Sequence, residues 1–380
     1  MTKPSPWSAL WTFPSILLSA FVIAWGAEAA QFLISQGLAL AILAWLQTLP
    51  EFAVEAVIAW NAGKNPSQTH LAIANFTGSL RLLVGLGWPM VYFVAAGFRK
   101  RLLPVRLERE HAVEVFGLLL PILYFVFIWW KATLTIWDAF PLAGFYCLYL
   151  FVLWRIPPRE ETEESLDNLG RIPRKTLQLA RPLRNAAIAS FFIAGGLILY
   201  FSAHPFLNSM LTISASLGVS TFVFVQWVAP FLSEFPEKLS AFYWARKVST
   251  ANIALMNLVS SNINQWSILS AMIPVLLCIS AGELRALPLD ALQRQEILLT
   301  ILQSFLGFLL LQNMELRFHE ALILFLFWAV QFFVPSSRQL MIAVYLAWCA
   351  VELVLVFVLR DRRAAWRGLG ETLGRRFAGS

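Results

Sequence analysis

The chain has 380 residues, 59% of them hydrophobic and 13% charged, with a formal net charge of +7. An ordinary soluble domain is about 45–50% apolar and about 25% charged, so a water-soluble enzyme or binding module is excluded, and so is a disordered chain. The basic excess has no basic groove interleaved with aromatics, which excludes nucleic acid as a partner and points to membrane topology.

A transmembrane helix needs roughly 20 mainly apolar residues. In chain order such runs are predicted at 8–27, 30–61, 69–98, 111–130, 133–154, 186–203, 206–244, 248–281, 295–313, 318–334 and 338–359. They are apolar on all faces, whereas a membrane β-barrel would alternate over about ten residues. The expected fold class is therefore an all-α polytopic membrane protein of about eleven spans. Lys3 alone precedes the first run and no small-residue cleavage site follows it, so a retained helix is expected there. His111 with Glu114 reads as a solvated face beside a basic loop, and His204-Pro205 as a turn. Glu28, Asp138, Glu315, Glu320 and Glu352 read as interfacial. Segment 155–185 holds Pro157-Pro158 and the acidic run Glu160 to Glu164, and is expected to be a connector. Cys147, Cys278 and Cys349 stand singly in apolar runs, as buried thiols do. With loop 99–110 inside, 21 of the 29 basic residues fall on the inner side and six outside, which predicts an outer N-terminus and an inner C-terminus.

The sequence repeats itself. Gln47-Thr48-Leu49-Pro50-Glu51-Phe52 is matched by Ser233-Glu234-Phe235-Pro236-Glu237-Lys238, 186 residues later. Ala74-Asn75-Phe76-Thr77-Gly78-Ser79 is matched by Met256-Asn257-Leu258-Val259-Ser260-Ser261, 182 residues later. The copies begin five helices apart, and an odd separation turns the second upside down. The predicted organisation is a first half at 1–154 (core motif 47–83), the connector at 155–185, an inverted second half at 186–334 (core motif 233–265), and an extra helix with a basic tail at 335–380. Each proline removes a backbone donor in mid-helix, and broken helices at the midplane are where secondary transporters place their substrates.

From the residues alone, Glu51 and Glu55 are spaced to share a helix face, and Glu234 and Glu237 nearly so. If the halves face each other, four carboxylates converge with Arg81 close by. Each charge at bilayer centre costs roughly 2.5–3.5 kcal/mol on insertion scales, so cations, protons or Arg81 are expected as partners. Glu51, Glu237, Thr48, Asn75, Ser79, Asn257 and Ser261 offer the oxygen ligands a hard cation such as Ca²⁺ takes. The matched motif residues include no Cys or His (His70 lies in the linker between the two motifs of the first copy), which disfavours zinc and copper. Phosphate loops, nucleophile elbows and HExxH motifs are absent, so no enzyme is expected.

These motifs resemble the α-repeats of the cation/calcium exchanger superfamily, whose repeats read small-Thr-Ser-Leu-Pro-Glu followed by Gly-Asn-x-x-Gly-Ser-Asn. Leu49-Pro50-Glu51 with Asn75 and Gly78-Ser79 fit the first copy. Phe235-Pro236-Glu237 with Asn257 and Ser260-Ser261-Asn262 fit the second. The resemblance implies ten core helices, an outer N-terminus and antiport of Ca²⁺ against Na⁺ or H⁺ across the cell membrane, with cations and lipid as partners and no resident cofactor. It implies Glu51 and Glu237 as the paired calcium carboxylates, Thr48 and Ser233-Glu234 at the sodium-binding pair, and Ser79 and Ser261 as second-helix serines. Gln265 stands at the family's second polar position in copy two, where copy one has Leu83. Leu80 replaces an Asn, Arg81 follows it, and Glu55 and Glu234 are additional acids. The alternative is a non-transporting membrane scaffold or regulator on an exchanger fold, in which Arg81 neutralises the acids permanently.

Overall fold

The computed structural model describes residues 6–157, 169–216, 218 and 224–377; the acidic run Glu160 to Glu164 lies outside the described residues. The protein is an all-α polytopic membrane protein. Among the described residues, eight helices are long and apolar enough to cross a bilayer. A further pair, Gln36–Gln47 and Leu49–Lys64, qualifies together but is bent by 48°, and Phe318–Phe333 is a shorter apolar helix. Exposed Leu, Phe, Val and Trp side chains cover the periphery, as a surface solvated by lipid tails requires.

The bends follow from the sequence. Helix Gln36–Gln47 starts at Ser35, whose hydroxyl accepts from Leu38 N, and stops at Thr48 (φ −85°, ψ −1°). Helix Leu49–Lys64 then restarts with Pro50 in its first turn, where a missing N–H costs nothing. The second half repeats this local structure: Ala229–Ser233 stops at Glu234 (φ −86°, ψ 3°), and Phe235–Ala245 restarts with Pro236 in its first turn.

Beyond each bend the elements recur 182 residues apart. Helix Thr69–Leu82, the π-helical turn Leu83–Gly87 and helix Trp88–Arg99 correspond to Ala251–Asn264, the π-helical turn Gln265–Leu269 and Ser270–Ala281. Left-handed residues follow the same spacing, Lys100 with Gly282 and Ala132 with Met314. Strand Val105–Arg106 pairs antiparallel with Glu315–Leu316, and Thr133–Leu134 with Leu287–Pro288. Each half thus lends one strand to each two-residue ribbon.

Several helices differ from expectation. Arg181–Ser216 runs unbroken through Pro205, so there is no turn at 204–205 and the described part of the second bent segment begins at Phe224–Val228. The connector region contains the short helix Arg171–Leu177. Helix Ala9–Ala30 lies along Arg181–Ser216, where Gly26 admits Phe191 and Gly195 admits Ile23. Small residues let membrane helices approach this way. His111 and Glu114 are fully buried rather than solvated, because helix Ala364–Phe377 and helix Ala139–Arg155 pack over their turn. Glu28, Asp138, Glu320 and Glu352 are buried as well; each has partners, Trp244 and Gly170 N for Glu28, Lys131 and Thr135 for Asp138, and Arg362 for the last two.

Candidate functional site

The two bends meet in the core beside the helices Thr69–Leu82 and Ala251–Asn264. Every residue of the latter except Asn252 is buried, and Glu51, Glu55, Glu234 and Glu237 are all fully buried. One turn of helix puts Glu51 and Glu55 side by side, and Asn75 Nδ2 donates to Glu51 Oε1 and to Glu55 Oε2, both at 2.7 Å. The second oxygen of Glu51 accepts from Ser233 Oγ of the other half.

The reciprocal crossing runs the other way. Ser79 Oγ of the first half bonds to Glu234 and stands 3.0 Å from Gln265 Oε1. Gln265 Nε2 donates to Glu234 Oε1 at 3.0 Å. Glu234 is also ion-paired to Lys238, one turn along. Thr48 Oγ1 turns back to Ala44 O at 3.0 Å and accepts from Asn264 Nδ2 at 2.7 Å. Asn257 Nδ2 reaches Gln47 Oε1 at 3.3 Å, and Gln47 Nε2 reaches Ser240 Oγ at 2.5 Å.

Glu237 differs from its counterpart Glu51. Ser261 is the hydrogen-bonding hydroxyl beside it, and no bond of ordinary geometry reaches either carboxylate oxygen. Glu55 Oε1, Asn75 Oδ1, Asn257 Oδ1, Asn264 Oδ1 and Ser261 Oγ are also buried without a bond of that kind. Leaving a buried polar atom unpaired costs about 1–3 kcal/mol, more for a charged one, so a set made almost wholly of oxygens calls for something positive or for ordered water. Among the described residues, no three His, Cys, Asp or Glu side chains are grouped to hold a metal by themselves; amide and hydroxyl oxygens would have to complete any shell.

Arg81 is not close to these acids. It lies two residues beyond Ser79, about 200° around the helix, and so points to the opposite face. There it is ion-paired to Glu296, donates to Gln331 Oε1 at 3.2 Å and Thr77 O at 3.1 Å, and lies 4.9 Å from the Trp227 ring centroid. Glu296 also pairs with Arg338 and accepts from Gln226 Nε2 at 3.1 Å. The cation inside the site is Lys238, not Arg81. Sequence reasoning missed Glu296, Gln226, Gln331 and Asn264. The run Asn262-Ile263-Asn264-Gln265 in an apolar helix was the available signal for Asn264; the Arg81 partners come from distant helices and had none.

The family profile described as sodium/calcium exchanger protein matches residues 5–155 and 188–337. Among solved structures, an H⁺/Ca²⁺ exchanger CAX is 31% identical with a TM-score of 0.82, covering 100% of this chain and 93% of its own. The sodium–calcium exchanger NCX_Mj, in crystals soaked with Na⁺ and Ca²⁺, is 15% identical with a TM-score of 0.62, covering 86% and 96%. At that identity the second likeness shows the fold alone. No protein of curated function matches the chain. The bent acidic pairs and the profile spanning both halves lead to one assignment: the chain belongs to the sodium/calcium exchanger protein family and is a cation transporter, not an enzyme.

Proposed function

We propose that the chain is a secondary active antiporter that exchanges calcium for protons or sodium by alternating access. What supports this most directly is the set of buried oxygens that no hydrogen bond of ordinary geometry reaches: both of Glu237, with Glu55 Oε1, Asn75 Oδ1, Asn257 Oδ1 and Ser261 Oγ. Ca²⁺ takes six to eight oxygens at about 2.3–2.6 Å and tolerates irregular shells, which suits a mixed carboxylate, amide and hydroxyl set. Glu51 and Glu237 coordinate the ion; Thr48, Ser233, Glu234, Glu55, Asn75, Ser79, Asn257, Ser261 and Gln265 complete or orient the shell. Lys238 cancels the charge of Glu234, leaving Glu51, Glu55 and Glu237 to balance a divalent ion and a proton. The 31% identity to an H⁺/Ca²⁺ exchanger favours protons over sodium as the counter-ion.

The architecture we infer is two inverted halves, 1–154 and 186–334, joined by 155–185, with an extra helix and tail at 335–380. It has eleven crossings of the cell membrane, an outer N-terminus and an inner C-terminus. The 182-residue recurrence of elements and the crossed strand ribbons support the halves, and the distribution of basic residues supports the orientation. Helices Ala9–Ala30 and Arg181–Ser216, packed on one another, slide as a unit to expose the site to alternate sides. The scaffold alternative loses its premise, because Arg81 is paired with Glu296.

Calcium uptake into proteoliposomes tests the proposal. Wild type is expected to take up calcium against an imposed proton or sodium gradient, and Glu51→Gln and Glu237→Gln to lose more than about 10-fold of that rate. Equal uptake by all three would overturn it.

A further inference from the structure

His111 and Glu114 belong to no part of the site above, yet both are fully buried. His111 Nδ1 lies 2.8 Å from Glu114 Oε1, while His111 Nε2 and Glu114 Oε2 have no partner. Their turn follows the basic loop 99–110. Glu114 also sits at the start of the first bent segment: a Cβ on Gly37 would stand 2.5 Å from Glu114 Oε1. Gly37 is the second residue of helix Gln36–Gln47, the helix that ends at Thr48 beside Glu51. The carboxylate is therefore shared between an imidazole and the positive end of a helix dipole.

The 182-residue spacing gives Glu114 a counterpart in Glu296 and Tyr149 a counterpart in Gln331. Glu296 is held by two guanidinium groups, Arg81 and Arg338, which keep their protons at every working pH. Glu114 has only a histidine, the side chain that gains or loses a proton between about pH 5 and 8 when unperturbed. Titratable or charged groups facing the pair are Glu108 and Glu110 on its own turn and Tyr149 from helix Ala139–Arg155. Tyr149 OH lies 3.0 Å from Ser260 Oγ of helix Ala251–Asn264. Helix Ala364–Phe377 contributes Glu371, paired with Arg109 on the exposed flank, and helix Gln36–Gln47 carries no charged residue.

We propose that His111 and Glu114 form a separate proton-binding site at the loop 99–110 end, whose occupancy sets how tightly the first bent helix is held. The proton enters at His111 Nε2 and makes an ion pair with Glu114. Its loss leaves Glu114 charged against the start of helix Gln36–Gln47 and tightens that contact. The opposite end, where Arg81 and Arg338 hold Glu296, does not respond to pH in this way. Protons on the loop 99–110 side thereby regulate a transporter whose cargo binds elsewhere; this regulatory consequence rests on the antiport reading, whereas the proton site does not.

Two arms test the inference. In the first, purified protein carrying ring-labelled histidine is titrated by NMR, and His111→Gln identifies the His111 signal. That signal is expected to titrate and to move its midpoint in Glu114→Gln, a variant that retains the ring. A His111 signal that does not titrate, or that titrates identically in Glu114→Gln, overturns the proton site. In the second, exchange of labelled for unlabelled calcium is measured at equal calcium on both faces, so that no net proton flux drives it, with pH varied only at the loop 99–110 face. Wild type is expected to change by about 5-fold or more across the pH range in which the His111 signal titrates and His111→Gln to lose that dependence; an unchanged dependence in His111→Gln overturns the regulatory role. If wild type shows no exchange at all, the antiport reading fails and the NMR arm still decides the proton site.

Discussion

Asn75 is the residue on which the first acidic pair depends. Its amide uses both hydrogens, one on Glu51 and one on Glu55, so Asn75→Ala strips two buried carboxylates of a donor. A loss of about 2–4 kcal/mol is expected, read as a lower unfolding temperature of the purified protein; an unchanged temperature would show that the acids are solvated otherwise. Lys238 acts on Glu234 in the opposite sense, as a cation already in place. Lys238→Met removes it and leaves Glu234 with Ser79 and Gln265 alone. Its unfolding temperature is expected to fall without divalent cation and to recover with calcium by more than wild type gains. Equal calcium gains in both proteins would mean that Lys238 does not stand in for an ion.

At the scale of elements, the approach of helix Thr69–Leu82 to the turn Phe224–Val228 is set by Gly78. A Cβ there would run into the carbonyl of Gln226, and backbone does not give way as a flexible side chain does. Gly78→Ala is therefore expected to cost about 1–3 kcal/mol, measured by thermal unfolding; a neutral result would mean the helices separate freely at that point. The breaks at Pro50 and Pro236 were legible because proline forbids one backbone bond, and the pattern of Glu, Asn and Ser at matched offsets was legible because it repeats. The pattern singles out Asn75, Glu51 and Glu55 together, whereas the bonds between them are seen only in the fold. The pairing of Arg81 with Glu296 has no such signal, since the partner stands 215 residues away on a helix outside both motifs. The same limit applies to His111, whose burial comes from a distant C-terminal helix that local charge pattern does not reveal.

Across the whole molecule, Glu296 ties the buried Arg81 and Gln226 and the partly exposed Arg338 into one knot. Breaking a buried pair by removing one partner costs about 3–5 kcal/mol, while replacing both with apolar groups is often neutral. Arg81→Met alone is expected to lose that much stability, and Arg81→Met with Glu296→Met to regain most of it, the remainder reflecting Arg338. A double variant as unstable as the single one would show that Arg81 and Glu296 are not each other's partners. The larger claim is that the two bent segments together enclose a cation that Glu237 meets with both oxygens. Calorimetric titration of calcium into the purified protein tests it most directly. The account predicts saturable binding by wild type, no measurable binding by Glu237→Gln and binding weakened more than about 10-fold in Glu51→Gln. Calcium binding by Glu237→Gln with the affinity of wild type would contradict it.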